Sequence, residues 1–123
     1  MTPASHLPVA ISDCHQLLAW IIPHLDTFPR IRRYTLGERL EQTLLVVLEQ
    51  LLEAAYQRPS HKVEGLQLAN RKLAVARHLW RLGYELKACS FRTYHHGAEL
   101  MVGVGRQIGG WQRHMGDRKK PHV

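Results

Sequence analysis

The stretch 66–86, LQLANRKLAVARHLWRLGYEL, constrains this chain more than any other. It reads as one helix carrying two apolar stripes. Leu66, Ala69, Leu73, Ala76, Trp80 and Gly83 recur at 3-4-3-4-3 spacing, which holds them on one face. Leu68, Val75, Leu79, Leu82 and Leu86 form a second line, about 120° from the first at 3.6 residues per turn. Asn70, Arg77 and Arg81 fall within about 40° of one another on the polar arc between them. One buried stripe suffices for a bundle helix. The second predicts a subunit interface beside a basic face; the alternative is a helix sunk more deeply in its own subunit.

The rest of the chain frames that helix. With 123 residues it is one domain's length, enough for a real core. No apolar run approaches the eighteen or so residues of a membrane span. The opening MTPASHLPVAISD lacks a basic start and a continuous apolar run, so no secretory signal is read there. Cys14 and Cys89 are too few for a disulfide framework and are read as free thiols in a reducing cytosol. Charge is uneven: residues 1–57 hold four Lys/Arg and six Asp/Glu, residues 58–123 thirteen and four. That asymmetry points to an anionic partner for the second half, nucleic acid first among them.

Residues 1–12 are expected to form a flexible arm, with Pro3 and Pro8 opposing helix. A first helix is predicted from Ser12 or Asp13, kinked at Pro23 and ended by Phe28-Pro29. Thr35-Leu36-Gly37-Glu38 reads as a capping box opening a second helix that runs to about Tyr56. A third begins near Ser60, and Ser90 caps a fourth whose inner line is Phe91, Tyr94, Ala98, Met101, Gly105 and Ile108. The tail 116–123, GDRKKPHV, is expected to be disordered. Four helices on short connections, with no strand signal, predict an all-α, up-down-up-down antiparallel four-helix bundle over residues 13–115.

Chemistry is sparse. Five glycines in the fourth helix (97, 103, 105, 109 and 110) cost several kcal/mol together, at about 1 kcal/mol each. Close approach of another helix would compensate; a helix broken near Gly109-Gly110 is the alternative. GVGRQIGG departs from G-x-G-x-x-G at Ile108, and no strand precedes it. His95 and Glu99 share a helix face, but no Glu-x-x-His and no His-Glu-x-x-His occurs, so neither a metal nor a cofactor is expected. No nucleophile has a recognisable setting, so catalysis is not expected either. The arginines cluster instead: Arg30, Arg32 and Arg33; Arg77 and Arg81 with Arg71 further round; Arg106 and the tail. Few aromatics lie among them, so the expected mode is salt-sensitive contact with phosphates of RNA or DNA.

Several of these segments have a familiar order. Phe28-Pro29-Arg30, Arg33-Tyr34-Thr35-Leu36-Gly37-Glu38-Arg39, Ala69-Asn70-Arg71-Lys72-Leu73, Arg77-x-Leu79-x-Arg81-Leu82 and Gly105-Arg106-x-x-Gly109-Gly110-Trp111 resemble the accessory variability determinant proteins of diversity-generating retroelements, over residues 17–112. The resemblance implies a barrel-shaped homopentamer of four-helix bundles, without catalysis of its own. Its implied partners are the retroelement's reverse transcriptase and its template RNA or cDNA, in mutagenic reverse transcription in the cytoplasm. It ties arginines of the third helix, here Arg77 and Arg81, to the reverse transcriptase, and leaves Arg30, Arg32, Arg33, Arg71 and Arg106 as further contacts. Leu68, Val75, Leu79, Leu82, Leu86, Gly105, Gly109 and Trp111 are the expected oligomer contacts. The competing reading is a four-helix scaffold of the ribosomal intervening-sequence type, binding RNA non-specifically or not at all.

Overall fold

The computed structural model describes residues 7–119, with side chains for 7–116. Four long helices form: α1 (Val9–Leu25), α3 (Glu38–Tyr56), α4 (Pro59–Glu85) and α5 (Phe91–Lys119). The short α2 (Arg30–Arg32) leads through a π-helical turn, Arg33–Gly37, into α3. Among the described residues there is no strand. Both α1 and α4 pack against α3 and against α5, so the helices stand in a ring, each antiparallel to its chain neighbours. The predicted four-helix bundle is observed. The arm's residues 1–6 and the tail's residues 120–123 lie outside the described residues.

Helix α4 buries the six predicted residues, Leu66, Ala69, Leu73, Ala76, Trp80 and Gly83, and no others. Pro59 opens it, where a missing N–H costs nothing. It closes with paired backbone bonds, Lys87 N–H to the Tyr84 carbonyl at 2.9 Å and Ala88 N–H to the Gly83 carbonyl at 2.8 Å. That closure puts Lys87 at φ 64°, a left-handed conformation that costs a non-glycine residue about 1 kcal/mol or more.

Four expectations need correction. First, α1 starts at Val9, not near Ser12 or Asp13. Ala10 and Ile11 extend the buried line of Cys14, Leu17, Leu18, Ile21 and Leu25 by a turn, so burial outweighs the side-chain cap. The helix also runs through Pro23 to end at Leu25, before Phe28-Pro29. Second, Thr35 and Glu38 form no capping box. The Glu38 N–H is already bonded to the Arg33 carbonyl, so it is no orphan donor. The Thr35 hydroxyl instead donates to the Ile31 carbonyl at 3.1 Å.

Third, α5 is rotated about 60° from its predicted inner face. Gly97, Met101, Val104, Ile108 and Met115 are buried, whereas Phe91 is 59% exposed. The cause is Trp80: a Cβ on Gly97 would lie 2.7 Å from its ring, so this glycine must face it. Fourth, α5 continues unbroken past Gly109-Gly110 to Lys119, so residues 116–119 of the expected tail are helical. Ser90 does cap α5, accepting from the Thr93 N–H at 3.2 Å.

Close approach explains only part of the glycine content. Gly97 meets Trp80, and Gly105 would set a Cβ 3.4 Å from Leu73. Gly103 has nothing within 4 Å, and Gly109 and Gly110 meet only the side chain of Arg113. Both cysteines are free. Burial pushes the thiol of Cys14 up from 9.0 to about 12, and that of Cys89 up as well.

Two outcomes follow from this packing. Gly97→Ala costs about 1–3 kcal/mol of unfolding free energy through its clash with Trp80. Gly103→Ala, in open space on the same helix, gains about 1 kcal/mol. Denaturant titration reads both, and equal signs would refute the assignment. The second concerns pH. Between 9.0 and about 12 an unfolded chain ionises Cys14 while the folded one keeps its proton. Stability therefore falls across that window by up to about 1.4 kcal/mol per pH unit, and the fall is shallower in Cys14→Ala. Parallel slopes for the two proteins would contradict it.

Candidate partner and nucleic-acid interface

With its inner face spent on the core, α4 presents two others. The side toward α5 carries Arg77, His78 and Arg81. Together with Tyr94, Ala98 and Val102 of α5 they line an open groove of about 330 Å³, with Trp80 as its floor. Arg77 and Arg81 are both exposed. The Nε of Arg81 lies 3.2 Å from the Glu85 carboxylate, a solvent-facing pair that contributes little to stability. Among the described residues no glutamate of α3 pairs with an arginine, so most guanidinium donors are open to an incoming anion.

The side toward α3 carries the second apolar stripe. Val75, Leu82 and Leu86 are 45%, 37% and 43% exposed, while Leu68 and Leu79 are half-buried. The stripe is therefore not the core of its own chain. Val75 and Lys72 meet Thr43, Val46 and Arg39 in a shallow groove of about 540 Å³ along the α3–α4 seam. Of the other expected oligomer contacts, Gly105, Gly109 and Trp111 lie on α5, diagonal to α3, and all are half-buried. Trp111 packs on the core with the Lys62 Nζ 6.0 Å above its ring. The eight residues thus do not form one patch.

The antiparallel helices gather charge that is scattered in sequence. The end of α1, the π-helical turn, the end of α4 and the start of α5 meet at one pole, where a Cβ on Gly83 would lie 3.4–3.5 Å from Phe28 and Leu36. Arg30, Arg32, Arg33, Arg81, Lys87 and Arg92 belong to this pole, against Asp26, Glu38 and Glu85. The Arg33 guanidinium lies 5.2 Å over the Tyr34 ring. Arg71 stands on α4 between His78 and the apolar stripe, and Arg106 lies further along α5; both are exposed.

Sequence reasoning missed the aromatic residues of the same pole. Phe28, Trp80, Tyr94 and Tyr84 stack in succession, with centroids 6.2, 6.5 and 4.9 Å apart and planes within 15–27°. Phe91 sits edge-on to Tyr84 at 5.7 Å and stacks on His95 at 5.7 Å. The spacings Trp80/Tyr84 and Phe91/Tyr94/His95 were the available signal, since residues three and four apart share a helix face. Nearby, the Trp20 ring stacks on that of His24 at 4.1 Å and meets that of His96, tilted, at 4.8 Å. His95 and Glu99, which share a face as expected, form a 2.6 Å contact. Among the described residues no three His, Cys, Asp or Glu side chains converge as metal ligands would. No described helix is long and apolar enough to cross a membrane.

A family model described as bAvd-like matches residues 9–115, from the first residue of α1 to Met115 of α5. No curated protein matches the chain.

Proposed function

The chain belongs to the bAvd-like family, the accessory variability determinants, and from that membership we propose that it is the non-catalytic accessory subunit of a diversity-generating retroelement. In this role it binds the retroelement's reverse transcriptase and the template RNA or its cDNA, and so supports mutagenic reverse transcription in the cytoplasm. The observation that carries the proposal is the α4–α5 groove. It sets Arg77 and Arg81, two exposed and largely unneutralised guanidinium groups, beside small and aromatic residues of α5. Arginine forks flanked by exposed apolar surface are the usual anchors of a protein contact.

The division of labour follows the two outward faces. Arg77 and Arg81 bind the reverse transcriptase. Arg30, Arg32 and Arg33 at the pole, with Arg71 and Arg106 beyond it, meet backbone phosphates. Affinity for nucleic acid therefore falls steeply with salt and depends weakly on sequence. Leu68, Val75, Leu79, Leu82 and Leu86 along the α3–α4 seam, joined by Gly105, Gly109 and Trp111 on α5, contact neighbouring copies in a homopentamer. The apolar exposure of Val75, Leu82 and Leu86 supports that contact.

Arg77→Glu combined with Arg81→Glu tests the proposal. Both residues are exposed, so helical content and melting temperature stay close to those of the unaltered protein. Association with the reverse transcriptase, read by pull-down, drops by about thirtyfold or more, the loss expected of an interface anchor. Full retention of the enzyme by the folded variant would remove the assignment.

A further inference from the structure

We propose that the corner between α4 and α5 is a stacking platform for unpaired bases of a single-stranded nucleic acid, built by Phe91 and Tyr84 and flanked by Lys87 and Arg92. This rests on the nucleic-acid half of the function proposed above, and adds to phosphate contact a site that holds bases.

Three observations meet at the corner. Phe91 is a large apolar ring left 59% exposed at the first position of α5, where the core has no use for it. It is held from below all the same, edge-on to Tyr84, tilted against Tyr94 at 6.3 Å and stacked on His95. The ring is thus braced and open at once. Tyr84 is the outermost of the four stacked rings that begin at the buried Phe28 and Trp80. A planar base added at this end continues a stack that is already ordered, so little ordering entropy is spent on binding.

Charge decides which planar ligand fits. Lys87 and Arg92 flank Phe91 in the sequence, and both are exposed. Arg30, Arg32 and Arg33, the proposed phosphate contacts, belong to the same pole, so basic groups continue away from the rings. A phosphodiester strand, whose bases and charges alternate, matches rings bordered by cations. Paired bases of a duplex do not, because their faces are covered by neighbours. Lys87 adds to this: its left-handed backbone would be less strained as glycine, yet the position carries an ammonium.

The test uses the full chain and a single-stranded oligoribonucleotide of about twelve residues, long enough for a typical site, carrying a fluorescent 2-aminopurine. The unaltered protein quenches the fluorophore on binding. Phe91→Ala weakens single-strand affinity by about tenfold and loses the quenching, and leaves affinity for the matching duplex unchanged. The salt dependence of its remaining single-strand binding keeps the same slope, because no phosphate contact is lost. Lys87→Ala lowers that slope by about one. Phe91→Trp restores both affinity and quenching. The substituted ring is exposed, and circular dichroism confirms that each variant remains folded.

Unchanged single-strand affinity in Phe91→Ala would overturn the platform while leaving phosphate binding in place. Absence of binding to either strand form by the unaltered protein at low salt would overturn the nucleic-acid half of the function and the platform with it. A drop in particle mass by light scattering in Phe91→Ala would make the ring a contact between copies, and would also overturn it.

Discussion

The bundle depends on how one indole is held. Trp80 is 1% exposed and meets α1, the segment after it and α5. Its ring stacks on Phe28 after α1, meets Trp20 of α1 edge-on at 6.2 Å and presses on the backbone at Gly97 of α5. Its polar edge is satisfied too, since Nε1–H donates to the Tyr94 carbonyl at 2.8 Å. A buried indole without such an acceptor would carry the cost of a lost hydrogen bond. Both demands fall on α5 within one turn, at residues 94 and 97. They fix its rotation, and that rotation turns Phe91 outward and leaves Tyr94 and Ala98 along the groove beside Arg77 and Arg81. The outward chemistry is in this sense a consequence of the core contact.

The same contact explains what could be read in advance. The inner stripe of α4 was legible to the residue, because its six positions follow at three- and four-residue spacing without a polar interruption, whereas the second line has a gap at Arg71-Lys72. The inner face of α5 was not. Its true line includes Gly97, a residue that hydropathy does not count as apolar and whose role is to have no side chain where Trp80 lies. The capping signature at Thr35 failed for a related reason. Local pattern offered a helix start, but the backbone upstream was already helical from Arg30 and had used the donor. Start signals at Ser12 and Asp13 lost to one more turn of buried apolar residues.

The candidate site divides likewise. Arg77 and Arg81 were placed together by their i, i+4 spacing, and the structure keeps them on one wall of the groove. The pole was not legible, because it joins residues 28–36 to residues 80–96 across the bundle. No spacing rule within a helix relates those segments. The aromatic residues looked few in composition, yet folding collects most of them within two shells of Trp80. The second apolar stripe was legible as a stripe, and the structure adds that its own chain leaves Val75, Leu82 and Leu86 exposed while half-burying Leu68 and Leu79.

Assembly of the chain turns on the exposed part of that stripe. Val75, Leu82 and Leu86 lie exposed on one face of a helix whose inner face, about 120° away, is fully committed to the core. An apolar seam shared by identical chains favours closed assembly over isolated subunits. Light scattering of the purified protein at low and high salt, with no nucleic acid present, tests this most directly. The expected result is a single closed particle of five copies whose mass is unchanged by salt, because apolar contacts are not screened. A monomer at every concentration and salt would contradict it.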